Sequence, residues 1–154
     1  MLVREDDLRG PEIAALLQAH LDTMALHSPP ESIHALDLGA LRVPEITFWT
    51  AWEDTRLLGC GALKALGPRH GEIKSMHTAQ RFRGRGGARR ILQRILDEAA
   101  ARAYTRLSLE TGSADAFEPA RTLYARHGFV FTGPFGNYVE DPFSVFMTRE
   151  LDAG

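Results

Sequence analysis

Apolar side chains recur at a helical period over residues 11–26, where Ile13, Leu16, Leu17, Leu21 and Met24 fall on one side. Pro11 suits the first turn of that helix. Ser28-Pro29-Pro30 must close it, because proline lacks a donor and restrains the residue before it. Residues 2–5 read as a short first strand, and a second short helix is expected within 31–41. The pattern then changes. Ile46–Trp52 is aromatic and β-branched, Leu57–Leu66 follows a turn at Asp54-Thr55, and Gly71–Thr78 follows Gly67-Pro68. Connections this short join antiparallel neighbours only. A long amphipathic helix is predicted over 86–103. Ala88, Ile91, Leu92, Ile95, Leu96, Ala99 and Ala103 share one face, and Arg94, Glu98 and Arg102 are spaced for i,i+4 pairs on the other. Residues 105–111 alternate as a strand. Pro119–His127 reads as a helix with Gly128 as its C-terminal cap. Phe129–Thr132 and Ser144–Glu150 supply the last two strands. The expected architecture is an antiparallel meander followed by β-α-β-α-β, a mixed-sheet α/β (α+β) domain.

At 154 residues, with no internal repeat and no linker-like tract, the chain is expected to form a single domain over 1–154. A domain of this size buries enough apolar surface to stand without staples. A net charge of −2 argues against a general nucleic-acid or anionic-membrane binder. The lone Cys60 excludes an internal disulfide and any cysteine-cluster metal site. No apolar run is long enough to span a bilayer. The first residues carry acids where a secretory leader is basic and then apolar, so the expected location is cytoplasmic.

The informative junction runs from Arg81 to Arg90. Gly84, Gly86, Gly87 and Ala88 sit where the chain turns from strand into the long helix. Small residues let successive backbone N–H groups converge on an anion, and a helix N-terminus adds unsatisfied donors and its dipole. This is physically a phosphate cradle. It is not a Walker A loop, because no Lys follows the glycines. It lacks the third small residue of a dinucleotide fingerprint, since that position is Arg89.

Arg83-Gly84-Arg85-Gly86-Gly87-Ala88 resembles the Arg/Gln-x-x-Gly-x-Gly/Ala acetyl-CoA loop of the GCN5-related N-acetyltransferase (GNAT) superfamily. The pattern also fits from Arg81. The later register places Phe82 at the usual aromatic position and starts the helix where its apolar period starts. Downstream, Ala120 to Phe129 resembles the family's Ala-x-x-Leu-Tyr-x-x-x-Gly-Phe helix. Segments 28–34, 109–113 and 140–147 look like a bacterial subgroup typified by YsnE. The resemblance implies the GNAT fold and transfer of an acetyl group from acetyl-CoA to an amine of a small molecule or peptide, by direct attack in a ternary complex and without a metal. It implies that Glu72 resembles the general base of the histone-acetylating branch and that Tyr124 protonates the departing sulfur. Backbone N–H groups near Met76 and His77, with Thr78 beside them, would polarise the thioester carbonyl. The amides of 83–88, with Arg81, Arg83, Arg85 or Arg89, would bind the phosphates. Homodimers are common in the superfamily. Phe117 stands where the family often has Asn, a departure that bears on pantetheine contacts.

Each role has a plainer counterpart. Glu72 reads equally as a solvated strand residue, and Tyr124 as core packing. His20 on the apolar helix face reads as an interior histidine or as a wall of the acceptor pocket. His27, Glu31, Glu110 and Tyr138 are the other acceptor-pocket candidates, and the long loop 133–143 carries acids suited to a cationic acceptor. Cys60 between two glycines reads as a small buried residue. Trp49 and Trp52, three apart in a strand, must point to opposite faces. The alternatives to an enzyme are an acyl-CoA-binding sensor without turnover and an arginine-loop nucleic-acid module.

Overall fold

The computed structural model describes residues 1–34 and 38–151. Its strands are β1 (Leu2–Glu5), β2 (Ile46–Glu53), β3 (Arg56–Ala65), β4 (His70–Thr78), β5 (Arg106–Gly112), β6 (Val130–Thr132) and β7 (Ser144–Glu150). Its helices are α1 (Pro11–His27), α2 (Leu38–Leu41), α3 (Gly87–Ala101) and α4 (Glu118–Arg126). The strands form one sheet in the order β1-β2-β3-β4-β5-β7-β6. All neighbours are antiparallel except β4 and β5, the pair joined through α3. A helical crossover is what a parallel pair requires. The mixed sheet of the sequence reading is therefore present.

Both faces of the sheet are covered, and strand alternation sorts the residues between them. On one face Trp49, Leu63, Ile73, Leu107 and Leu109 pack against Ile91, Leu92, Ile95 and Leu96 of α3 and Tyr124 of α4. On the other, Phe48, Cys60 and Ala62 pack against Ile13, Leu16 and Leu17 of α1. Trp49 is wholly buried in the first layer, and Trp52 leans on the second with Arg4 over its ring. α1 packs on β3 and β4. On the β5–β7 half of the same face the loop after β6 folds back, and Phe135 and Tyr138 pack on Phe146 of β7.

The boundaries differ from expectation by more than one residue in two places. The long helix stops at Ala101, two residues early, because Ala103 takes a left-handed φ of 57°. The backbone N–H of Tyr104 then reaches the Ala99 carbonyl, and that of Ala103 the Ala100 carbonyl. The short helix expected within 31–41 is a 3-10 turn at Pro30–Ser32 and a single α turn at Leu38–Leu41, and residues 35–37 lie outside the described residues.

Candidate active site

The site begins with a defect in the sheet. β4 and β5 are paired only from His70↔Arg106 to Ile73↔Leu109, while β4 runs on to Thr78 and β5 to Gly112. Beyond Ile73 the two strands diverge. A cavity of about 910 Å³ occupies the opening and passes from one face of the sheet to the other.

β4 is irregular where it borders the split. Its pairing with β3 shifts between Cys60 and Ala62, and Ser75 adopts a left-handed φ of 55°. This bulge reverses the alternation. Ile73 and Met76, three apart, both reach the α3 layer, while His77 turns to α1. Gly61 permits it, since a Cβ there would collide with Met76 and Ile91. The Ser75 hydroxyl is buried without a hydrogen-bond partner among the described residues and lines the cavity.

On the α3 face the arginine-glycine loop forms the wall. Gly84 and Gly86 have φ of 82° and 84°, a region glycine enters without steric cost. The first bond within α3 runs from the Arg90 amide to the Gly86 carbonyl, so the preceding amides have no acceptor within the helix. Arg83, Gly84, Gly86, Gly87, Ala88 and Arg89 line the cavity, as do Met76, His77 and Thr78. Arg81 lies along a separate cleft of about 630 Å³ beside α1. Arg85 is tied to Glu53 at 2.7 Å. Tyr124 of α4 is buried in the core layer and also lines the cavity, so its packing and site positions coincide. Burial, then the charge of Glu110, pushes its phenol well above the ordinary range, which keeps its proton in place. Its backbone is pinned, because the amide of Phe129 bonds the Tyr124 carbonyl around Gly128, whose φ is 87°.

On the α1 face the split exposes two carboxylates. Glu72 is 3% exposed, not solvated. Its Oε2 accepts from Lys74 Nζ at 3.1 Å and from the Tyr138 hydroxyl, and Lys74 Nζ also donates to Tyr138 at 3.0 Å. Glu110 follows Leu109, the last residue of β5 paired with β4, and shares the sheet face of Glu72. Burial raises its carboxyl; the Ser144 hydroxyl, His34 and Lys74 oppose that, and Glu72 adds to it. His20 and His77 meet Nδ1 to Nδ1 at 3.1 Å. Burial foremost, then the partner His77 for His20 and Arg83 for His77, lowers both to about 4. They are therefore neutral near pH 7, one donating its Nδ1–H to the other.

His20, Glu110 and Tyr138 thus line the cavity with Glu72 and Tyr124. His27 instead stacks edge-on to Phe117 at 5.6 Å, and Glu31 is exposed on the 3-10 turn. Phe117 itself is a cavity wall. The sequence reading missed Lys74, Ser75 and His34. The alternation Glu72, Lys74 put the lysine on the face of Glu72 but did not mark it as buried.

Residues 13–129 match the acetyltransferase (GNAT) family. The chain belongs to that family. It is 57% identical over 151 residues to the uncharacterised N-acetyltransferase YsnE of Bacillus subtilis, covering 98% of this chain and 100% of that one. A solved acyl-CoA N-acyltransferase from Klebsiella pneumoniae superposes with a TM-score of 0.78 at 25% identity, covering 98% and 97% of the two chains. An aminoglycoside 6'-N-acetyltransferase solved with coenzyme A shares the fold with a TM-score of 0.72 at 16% identity, with 97% of each chain covered. This GNAT chain is an acyltransferase whose family draws on acetyl-CoA. The donor set fits such a thioester: free amides and two arginines on one face, and an orphaned hydroxyl at the split.

Proposed function

We propose that this chain transfers the acetyl group of acetyl-CoA to an amine by direct attack within a ternary complex. The observation that carries the reading is the through-sheet split, which joins the arginine-glycine loop on one face to the buried Glu72 and half-buried Glu110 on the other. Anionic phosphates suit the amides at the start of α3 and the Arg83 and Arg89 side chains. A backbone N–H of Met76 or His77, on the part of β4 that leaves β5, polarises the thioester carbonyl. Tyr124 keeps its proton until a thiolate forms beside it. A carboxylate on the α1 face, Glu72 or Glu110, takes the ammonium proton.

Calorimetry with acetyl-CoA tests the reading. Binding is expected for the wild type and lost in Gly86→Glu, which places an anion and a Cβ at a left-handed position facing the phosphates. Unchanged affinity in a folded Gly86→Glu would remove the loop from the site. Binding without thiol release across an amine panel would favour a sensor of acyl-CoA over an enzyme.

A further inference from the structure

The acceptor side of the cavity carries an unequal distribution of charge. Lys74 is the strand-borne cation there, and it is already committed: two of its three protons go to Glu72 and Tyr138. Glu72 is compensated in the same contact. Glu110 has no cation within ion-pair distance among the described residues, although it faces the same space. It stands at the fork, one residue past the last bridge between β4 and β5, where the acceptor side opens toward Tyr124 on the other face. Glu72 lies one step inside the paired region, opposite Ser108.

Two segments meet beside the chamber. The segment after α1 supplies His34, and the loop after β6 supplies Tyr138, whose ring meets His34 edge-on at 5.0 Å. Ser32 Oγ donates to Asp141 Oδ2 at 2.6 Å, and the backbone amide of Phe143 holds the other oxygen of Asp141. His34 and Tyr138 both wall the cavity, and tying the two segments together suits it to a small acceptor.

We propose that the acceptor is a small primary amine with no carboxylate beside its nitrogen, held as an ammonium ion against Glu110, and that Glu110 rather than Glu72 accepts its proton. The inference rests on the acetyl-transfer reading above. A cation answers Glu110, which lacks among the described residues the counter-charge that Glu72 has in Lys74. An amino acid would bring its own carboxylate among Glu72 and Glu110, with Lys74 already engaged, and like charges brought together in a partly buried site are strongly disfavoured. Glu72 already spends its Oε2 on Lys74 and Tyr138, which leaves it less free to meet an incoming ammonium. Burial raises the Glu110 carboxyl, which favours its taking up a proton.

The step balances. The Glu110 carboxylate takes one proton from the ammonium. The freed nitrogen bonds the acetyl carbonyl carbon, and the carbon–sulfur bond breaks. The leaving thiolate takes the Tyr124 proton, and the second nitrogen proton restores the phenol. Glu110 returns its proton to solvent, so one proton is released for each amide and thiol formed.

The test uses matched pairs: phenethylamine with phenylalanine, putrescine with ornithine, agmatine with arginine and histamine with histidine. Thiol release is followed at saturating acetyl-CoA. In the pair that reacts fastest, the amine is expected to exceed its amino acid at least tenfold in kcat/KM. Glu110→Gln is expected to lower kcat/KM for that amine by about 10²-fold or more and to abolish the acidic limb of its pH profile. In that variant the acetyl-CoA Kd stays within about twofold, and calorimetric binding of the amine to the CoA-saturated protein is lost. Glu72→Gln is expected to keep the acidic limb. Preference for the amino acids, or an acidic limb that survives in Glu110→Gln, would each overturn the proposal. Failure to bind acetyl-CoA, or binding with no turnover of any amine or amino acid, would instead overturn the reading beneath it. The groups facing Glu110 that also shape the profile are Glu72 and Lys74 of β4, His34, Tyr124 of α4, Tyr138 and Ser144 of β7.

Discussion

Lys74 holds its charge where charge is costly. Its side chain is 8% exposed and that of Glu72 is 4%, so each ion has given up most of its water. Their mutual attraction and the Tyr138 hydroxyl offset that loss only while all three are present. Lys74→Met is therefore expected to cost about 3–5 kcal/mol, because it strands the Glu72 carboxylate. Pairing it with Glu72→Gln should recover much of that cost. Urea unfolding of the two variants measures both, and equal destabilisation would show that the loss came from packing alone. Glu72 was visible in the sequence through its place before the end of a strand. Lys74 was not, since a lysine two residues further on ordinarily reaches solvent, and its second partner Tyr138 arrives from 64 residues away. Buried polar groups are fixed by such distant meetings, which no local pattern records.

Two helices end by the same device with different residues. After α4, Gly128 is left-handed, and Phe129 and Gly128 donate back to Tyr124 and Ala125. After α3, Ala103 does the same work at φ 57°, and Tyr104 and Ala103 donate back to Ala99 and Ala100. The glycine announced its cap, whereas the alanine disguised one, which is why the periodicity overran the true end of α3. An alanine in this conformation bears a strain of about 1 kcal/mol that glycine avoids. Ala103→Gly should thus stabilise the fold by about 1 kcal/mol, raising Tm by roughly 3 °C. A neutral or lower Tm would mean that the added freedom of the unfolded chain outweighs the relief. The strands and their alternation were legible from residues alone. The bulge at Ser75 was not, because it depends on register with β3 and on the glycine that makes room for Met76.

At the scale of the whole molecule, the His20–His77 contact joins α1 to the sheet, and its protonation state bears on overall stability. Both rings titrate near 4 when folded and near 6.5 when unfolded. The folded protein therefore binds fewer protons between those values. The stability is complete above about pH 6.5 and is lost as the pH falls toward 4, by on the order of 3 kcal/mol for His20. Glu110, whose carboxyl is raised, works in the opposite sense. Urea midpoints should drop between pH 7 and 4.5, and a His20→Gln, His77→Gln double variant should show a shallower drop. An identical slope in that variant would assign the acid sensitivity elsewhere. The pairing of the two rings brings together residues 57 apart in the chain and follows from the reversed alternation of β4, so it too lay beyond a local reading.

The divergence of β4 from β5 also makes the molecule mechanically uneven. Four residue pairs, His70–Ile73 with Arg106–Leu109, form the sheet's seam between its two halves. Compliance should concentrate there, much as a panel bends at a partial cut. Amides that point into the gap from 74–78 and 110–112 have no strand to donate to, so they should exchange with deuterated solvent far sooner than those of the flanking ladders. Acetyl-CoA should slow them selectively, and uniform exchange across the sheet with or without it would show that the seam is as stiff as its neighbours. A molecule built this way transmits the arrival of a ligand on one side of the seam as a change of rigidity on the other.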